Sequence, residues 1–169
     1  MGLFGVSVPR PLEPPPPRST VGEAALEVAK LELGNGEEGA NNLGPALVRY
    51  RRSGPEGAWC AAFVSYCLEE GCRLIGFSCP VRRSHNAKRL FERCLKAGAA
   101  VARPMAGDIV CWHRGAAGAR TGHIGIVSKV QLDGGWFSIE GNRGRFPSKV
   151  REYLHETGEP LLLGFARLS

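Results

Sequence analysis

The hydrophobic pattern of this chain changes character once, at Gly98, and this change restricts the folds that the chain can adopt. Before Gly98, apolar residues recur three or four positions apart, which is helical spacing, in stretches broken by Gly- and Pro-rich loops. After Gly98, short runs rich in Val, Ile, Phe and Trp alternate with Gly-rich turns, which is typical of strands. Helices first and strands second, without βαβ alternation, predict an α+β fold with N-terminal helices packed on a C-terminal antiparallel sheet.

Four helices and four strands are predicted from these patterns. The helices span residues 21–33, 45–50, 58–71 and 84–98, and the strands span residues 108–114, 123–130, 136–142 and 161–168. Thr20 followed by Glu23 is a capping-box pattern, which places the start of the first helix. We expect Gly71 to end the third helix and Ser84 to cap the fourth.

The N-terminal residues contrast with the rest of the chain. Prolines at positions 9, 11 and 14–17 exclude a helix or a central strand from residues 1–18, which we interpret as a flexible, extended arm. The remaining residues, 19–169, are enough for one hydrophobic core and too few for two. We therefore expect one folded domain and a monomer.

Neither an export signal nor a membrane span is expected. The N-terminus has no basic stretch before its short apolar patch and no small-residue cleavage site, so it does not resemble a secretory signal. No apolar run approaches the roughly 18 residues that a membrane span requires. The chain is thus expected to be made in the cytoplasm without a signal peptide and to insert into no membrane.

The charge balance is moderately basic. Lys and Arg number 22 and Asp and Glu number 16, which gives a formal net charge of +6. This charge favours anionic partners by a mild electrostatic bias. Nucleic acid is not expected as a partner, because the sequence has no recognisable nucleic-acid module and no stripe of Arg and Lys interleaved with aromatic residues.

Six cysteines raise the question of a disulfide framework, a metal site or a nucleophile. They are Cys60, Cys67, Cys72, Cys79, Cys94 and Cys111. Zinc sites use close ligand pairs such as C-x2-C, whereas the nearest pairs here are C-x4-C and C-x6-C, so no metal site is expected. Disulfide frameworks are typical of much smaller secreted chains. Most of these thiols are therefore expected to pack as small buried hydrophobic groups.

One cysteine and one histidine stand apart by their local context. Cys60 lies in the first turn of a predicted helix, where free N–H groups and the helix dipole stabilise a thiolate. His123 opens a predicted strand directly after Thr121 and Gly122, whose small side chains leave room for a substrate. In a thiol hydrolase the imidazole takes the thiol proton and the thiolate attacks a carbonyl. The alternative for Cys60 is a packing role within the helix.

An orienting partner for the His123 imidazole is predicted on a neighbouring strand. Period-2 alternation in the run WFSIEGN places Glu140 and Asn142 on one face of that strand, and both are candidates. His113 is a rival base, for which a structural position in mid-strand is the alternative. The two remaining histidines are expected at the surface: His85 and His155.

Four short blocks around these residues occur in the order of a known family. They are WCAAFV, GDIVCW, GHIGIV and EGN, and they resemble the CHAP domain, whose name denotes cysteine, histidine-dependent amidohydrolases/peptidases. The resemblance extends over about residues 20–168 and implies a papain-like fold, activity on bacterial peptidoglycan and no cofactor. It also implies particular roles: Cys60 as nucleophile, His123 as general base and then acid, Glu140 as orienting residue and Asn142 as a fourth member.

The resemblance also bears on substrate and metal binding. Asn42 matches a polar position of related members and is predicted to bind substrate, with a turn-forming role as the alternative. Trp59, which begins the nucleophile block, is predicted to bind substrate as well. Some relatives carry an acidic calcium loop near the N-terminus. The corresponding stretch here offers only Glu37 and Glu38, so calcium is not expected.

The function that this resemblance implies is hydrolysis of an amide bond in peptidoglycan through a thioester on Cys60. Such a chain fits a phage lysis enzyme or an injected antibacterial toxin, which would act on the cell wall after release or injection. A non-exported domain with a tail-associated role is the third alternative. A delivery partner fits either setting, and an immunity protein fits the toxin. The alternatives are a catalytically silent module of the same fold that binds wall fragments or a partner protein, and a thiol protease that acts on proteins.

Overall fold

The computed structural model describes residues 20–115, 118 and 120–169. In this part of the chain four helices precede six strands, so the predicted α+β class is confirmed. The helices are α1 (Val21–Leu31), α2 (Pro45–Arg51), α3 (Cys60–Leu74) and α4 (Ala87–Ala97). The strands are β1 (Ala99–Val101), β2 (Ile109–His113), β3 (Gly122–Val130), β4 (Trp136–Glu140), β5 (Arg151–His155) and β6 (Leu162–Arg167). The predicted arm, residues 1–18, lies outside the described residues.

The start of α1 is fixed by its capping box, as the sequence predicts. The Thr20 backbone N–H donates to Glu23 Oε2 at 2.8 Å, and Thr20 Oγ1 accepts from the Glu23 N–H at 3.2 Å. These two bonds satisfy backbone groups for which the first helical turn has no intrahelical partner.

The predicted end of α3 is wrong. Gly71 does not stop this helix, which continues to Leu74. A Cβ on Gly71 would lie 2.6 Å from the Ala25 backbone nitrogen in α1. The glycine therefore allows α1 and α3 to approach each other closely, and its role is in helix packing.

The fourth helix begins later than predicted. Its N-cap is Asn86, whose side chain accepts from the Arg89 N–H at 2.9 Å. The hydroxyl of Ser84, the predicted cap, instead accepts from the Asn86 N–H at 3.1 Å and shapes the turn before the helix. Both residue types are good caps, and the structure uses the later one. None of the helices described is long and apolar enough to cross a membrane.

The six strands form one antiparallel sheet in the order β1-β6-β2-β3-β4-β5. The four strands that the sequence predicts occupy its centre. The two that it misses, β1 and β5, are the edges, where few side chains are buried and the apolar alternation is correspondingly weak. Strand β4 ends at Glu140, before the predicted end at residue 142.

The sheet buries apolar side chains on both of its faces. The side chains that pack with the helices into the main core are Ile109, Cys111, Ile124, Ile126 and Ile139. A smaller apolar cluster comprises Val110, Trp112, Val127, Trp136 and Phe165. Since successive side chains of a strand point to opposite faces, His123 and Glu140 lie on the face of this smaller cluster.

Candidate active site

The predicted nucleophile lies at the start of α3. Cys60 is the first residue of this helix and follows the N-cap residue Trp59, whose side chain makes no capping bond. The first-turn N–H groups of a helix have no intrahelical acceptor, and here the N-cap side chain does not satisfy them. The first turn of α3 also has no acidic residue to oppose a negative charge. Cys60 is 4% exposed. This position stabilises a thiolate and shields it from bulk water.

His123 and Glu140 form a buried hydrogen-bonded pair. His123 Nε2 lies 2.6 Å from Glu140 Oε2, and the Glu140 side chain is completely buried. In the register between β3 and β4, Glu140 is opposite Gly125, which follows His123 by two positions on the same strand. A Cβ on Gly125 would lie 2.7 Å from Glu140 Cγ, so the glycine leaves the space that the glutamate side chain occupies.

The Cys60 thiol and the His123 imidazole shift each other's pKa. Burial raises the pKa of Cys60, but hydrogen bonding to His123 and the positive charge of that ring act in the other direction. Together with smaller effects of the Arg114 charge and the Ala61 N–H, they hold the pKa of Cys60 below its ordinary value. Burial lowers the pKa of His123, but Cys60 and Glu140 raise it to about 9. Glu140 occupies Nε2, and Nδ1, which is buried and has no hydrogen-bond partner within the described residues, is the ring nitrogen that can serve the thiol.

Donors on both oxygens hold the Glu140 carboxylate. Its Oε1 accepts from Ser138 Oγ at 2.6 Å, His155 Nε2 at 2.9 Å and Arg143 Nη1 at 3.0 Å. Its Oε2 accepts from His123, and Arg143 Nη1 lies 3.2 Å from it. Burial raises the pKa of Glu140, but hydrogen bonds from both histidines and from the serine hold it well below its ordinary value. The orienting group is therefore a charged carboxylate at neutral pH.

The structure selects Glu140 over Asn142 as the partner of His123. Strand β4 ends at Glu140, and Asn142 lies in the following turn with a left-handed φ of 61°. The predicted alternation through Asn142 is wrong, because the turn removes this residue from the strand face. Its backbone carbonyl accepts from Arg114 Nη2 at 3.1 Å, which ties the turn to the end of β2. A role for Asn142 as a fourth member of the site stays a prediction.

Trp59 is a buried packing residue, which corrects the predicted role in substrate binding. It has no exposed surface, its Nε1 donates to Glu37 Oε1 at 3.2 Å, and its ring stacks on Tyr50 at 5.9 Å. A Cβ on Gly141 would lie 2.3 Å from the Trp59 ring, so the turn after Glu140 packs directly on the indole. Trp59 thereby fixes the position of the start of α3 relative to the end of β4.

Asn42, in the loop before α2, has the contacts of a turn residue. Its φ is 59°, its N–H donates to Glu37 Oε1 at 3.1 Å, and its carbonyl accepts from Arg51 Nη1 at 2.7 Å. Asparagine tolerates this left-handed conformation better than most residues. These contacts support the turn-forming alternative, and substrate binding by Asn42 stays a prediction.

The other five cysteines occupy packing positions. Four are buried and one is partly buried: Cys67, Cys72, Cys94 and Cys111, and Cys79. Burial raises the pKa of Cys94 and of Cys111 to about 12, so these thiols stay protonated at neutral pH. The expectation that most of the thiols pack as small hydrophobic groups is confirmed. Within the described ranges, no group of three or more His, Cys, Asp or Glu side chains is placed to hold a metal ion.

Sequence reasoning missed two residues that contact Glu140. His155, expected at the surface, is buried at the end of β5 with Nε2 at 2.9 Å from Glu140 Oε1. Arg143 donates to the same carboxylate, and its guanidinium lies 4.3 Å from the centroid of the Tyr153 ring. The signal for His155 is the register of β5, because His155 pairs with Trp136 and therefore lies on the Glu140 side of the sheet.

A cavity of about 290 Å³ borders the His123–Glu140 pair. The polar and aromatic side chains in its lining include Trp112, His113, Arg114, Arg143, His155 and Glu159. His113, the rival base, has Nδ1 at 2.8 Å from Lys88 Nζ, whereas His123 is the histidine that lowers the pKa of Cys60. The cavity thus gives solvent and small groups access to the His123 imidazole.

Comparison with known proteins agrees with this geometry. The profile of a family described as CHAP domain matches residues 52–142, which is more than half of the chain. The match includes Cys60, His123, Glu140 and Asn142, and it begins after Asn42. No curated protein and no solved structure matches the chain. On the extent of the profile match, the chain belongs to the CHAP domain family.

Proposed function

We propose that this protein is a cysteine-dependent hydrolase that cleaves an amide bond in bacterial peptidoglycan. The CHAP domain family is generally hydrolytic, and membership in it supports amidase-type activity on peptidoglycan. The observation that carries the proposal is the buried array of Cys60 at the start of α3, His123 beside it, and Glu140 at 2.6 Å from the imidazole. The array supplies a nucleophile, a proton carrier and an orienting carboxylate.

In the first half of the proposed reaction, the Cys60 thiolate attacks the carbonyl carbon of the scissile amide. The oxyanion that forms is stabilised by the free N–H groups in the first turn of α3. His123, as an imidazolium, gives its proton to the leaving amine while the C–N bond breaks. The acyl group then remains on Cys60 as a thioester.

In the second half, neutral His123 takes a proton from water, and the resulting hydroxide adds to the thioester carbonyl. The C–S bond breaks, the carboxylic acid product leaves, and Cys60 returns to its thiolate form. One water is consumed in each turnover, and no cofactor is needed. Glu140 keeps the imidazole in one orientation and stabilises its positive charge through both halves.

The proposed scissile bond is either the amide between N-acetylmuramic acid and L-alanine or a peptide bond of the stem or cross-link. The formal net charge of +6 supports attraction to an anionic cell envelope. We propose that the protein acts on the cell wall as a monomer, after phage-mediated release or injection. A delivery partner, or an immunity protein in the case of a toxin, is the protein partner that these settings imply.

Digestion of purified sacculi tests this proposal. The wild type is expected to release soluble fragments, whereas Cys60→Ser is expected to lose about 1,000-fold or more of the rate. Cys79→Ser is the matched control, because it removes a partly buried thiol outside the catalytic array. Mass spectrometry of the fragments identifies the bond: free stem peptides indicate an amidase, and uncrosslinked muropeptides indicate an endopeptidase.

Two other results would contradict the proposal. If the wild type binds sacculi of both major chemotypes under reducing conditions but cuts neither, the silent binding module is the better description. If the wild type cuts casein and leaves sacculi intact, the protein is a thiol protease that acts on proteins.

A further inference from the structure

We propose that His155 and Glu159 form a second imidazole–carboxylate pair, which positions Glu140 for its contact with His123. His155 Nε2 lies 2.9 Å from Glu140 Oε1, and His155 Nδ1 lies 3.0 Å from Glu159 Oε1. The second pair therefore continues the line of interacting groups that begins at the Cys60 thiol. His155 is a positioning residue in this scheme, and its catalytic importance rests on the proposed function.

The His155 ring is held in one place by two indoles. Its side chain is 1% exposed, and the Trp136 ring stacks on it with centroids 4.2 Å apart and an interplanar angle of 16°. The centroid of Trp112 lies 5.1 Å away. Because close packing restricts rotation of the imidazole, its two nitrogens point at fixed positions. A ring held in this way can direct a hydrogen bond at one chosen oxygen.

The two oxygens of Glu140 have different main partners, and His155 donates to only one of them. Carboxylate oxygens only accept hydrogen bonds, so a ring nitrogen of His155 that hydrogen-bonds one of them is the donor. Ser138 Oγ, 2.6 Å from Glu140 Oε1 and 2.9 Å from His155 Nε2, donates to the carboxylate and shares the Nε2–H. These donors occupy Oε1. Oε2 faces His123 Nε2 at 2.6 Å and, at the longer distance of 3.2 Å, Arg143 Nη1.

His155 is better shielded than Arg143, which also donates to Glu140. Arg143, from the turn after β4, also donates to Oε1, but its side chain is 40% exposed, whereas that of His155 is 1% exposed. Solvent screening weakens the contact of an exposed charge more than that of a buried one. The remaining ionisable groups that border the same cavity are His113, Arg114, His123 and Glu159. His155 is thus the donor that fixes Glu140 from inside the fold.

The test is the pH dependence of Cys60 alkylation by iodoacetamide, measured by mass spectrometry of the Cys60 peptide. This rate reports the thiolate–imidazolium pair without any substrate, so failure of the inference can be told apart from failure of the proposed function. In the wild type, reactivity is expected to persist on the acid side of the ordinary thiol pKa and to change again near pH 9, where His123 loses its proton.

His155→Phe keeps an aromatic ring beside the indoles and removes both N–H donors. The acid-side midpoint is the pH at which the alkylation rate of Cys60 falls to half of its plateau. His155→Phe is expected to raise this midpoint by about one pH unit, because Glu140 then orients His123 less well and the imidazolium stabilises the thiolate less. On peptidoglycan, kcat is expected to fall by about 10-fold or more, because His123 is then less well oriented in the transition state. KM is expected to change by less than about twofold, since His155 does not determine substrate binding in this scheme.

Two variants of Glu159 distinguish the effect of its hydrogen bond with His155 from the effect of its negative charge. Glu159→Ala removes the acceptor for His155 Nδ1 and is expected to shift the midpoint in the same direction. Glu159→Gln keeps an acceptor oxygen for His155 Nδ1 and is expected to have the same acid-side midpoint as the wild type. Glu156→Gln, at an exposed position on the same turn, is the matched control for the loss of one negative charge and is expected to change nothing.

An acid-side midpoint in His155→Phe equal to that of the wild type would overturn the proposal, even if the melting temperature fell. Such a result would leave His155 with a purely structural role. If His155→Phe does not fold, the two Glu159 variants decide the question. A wild-type midpoint in Glu159→Ala, or equal shifts in Glu159→Ala and Glu159→Gln, would also overturn it.

Discussion

The protonation states of Cys60 and His123 depend on where each residue lies in the fold. Cys60 has a pKa below its ordinary value, and the pKa of His123 is raised to about 9, so the thiolate and the imidazolium coexist over a range of pH. This range begins where Cys60 loses its proton and ends near pH 9. Burial raises the pKa of Cys94 and Cys111, so these two thiols stay protonated over the same pH range.

The same shifts predict how stability depends on pH. The pKa of His123 rises from 6.5 to about 9 on folding, so its stabilising contribution is fully present below about pH 6.5 and is lost as pH rises through 9. The pKa of Glu140 is lowered from 4.5, so its contribution is present above about pH 4.5 and is lost as pH falls towards its folded value. Urea unfolding of the wild type and Glu140→Gln is therefore expected to differ most between about pH 4.5 and 6.5. A difference independent of pH would contradict the assignment.

At the scale of helices and strands, burial determines what the sequence could predict. The central strands and the four helices carry strong apolar patterns, and all of them were predicted. The edge strands β1 and β5 were not, because an edge buries fewer side chains. Gly71 was misinterpreted because its tertiary contact with α1 leaves no local signal in the sequence. Ser84 was misinterpreted because Ser84 and Asn86 are both good caps, and the Ser84 hydroxyl accepts from Asn86 in the turn before α4.

Substitution of Gly71 tests the packing role that the structure gives to this residue. We expect Gly71→Ala to destabilise the protein, although alanine favours a helix over glycine by about 1 kcal/mol. The added Cβ would meet the Ala25 backbone nitrogen at 2.6 Å, and overpacking of this kind costs about 1–3 kcal/mol. Arg73→Ala, at an exposed position of the same helix, is the control and should change the free energy of unfolding by about 0.5 kcal/mol or less. A more stable Gly71→Ala variant in urea unfolding would refute the packing role.

At the scale of the whole molecule, the site combines residues that are far apart in the sequence. Cys60, His123 and Glu140 were predicted together, because each lies in a recognisable block. Burial of Trp59 and the position of His155 were not predicted, since both depend on the arrangement of complete elements. Glu37 is a further example: its Oε2 accepts from the backbone N–H of residue 148 at 2.7 Å, and its Oε1 accepts from the Trp59 indole.

Glu37 and its sequence neighbour Glu38 offer a matched comparison. Glu37 is buried and accepts hydrogen bonds from three N–H groups in separate segments of the chain. In Glu37→Gln the amide NH2 replaces one acceptor oxygen and faces N–H groups that also donate. We expect a loss of about 1–3 kcal/mol in the free energy of unfolding, the usual cost of an unsatisfied buried group. Glu38→Gln affects a side chain that is 62% exposed and should be close to neutral. Equal urea midpoints for the two variants would contradict the role assigned to Glu37.

The placement of the tryptophans has an optical consequence. The chain contains three, and all of them border the candidate active site: Trp59 under the turn after Glu140, Trp112 beside His123, and Trp136 stacked on His155. A protonated imidazole quenches the emission of an adjacent indole. We therefore expect the intrinsic fluorescence of this protein to change as His123, beside Trp112, loses its proton near pH 9, so that the charge of this ring can be followed without an added label.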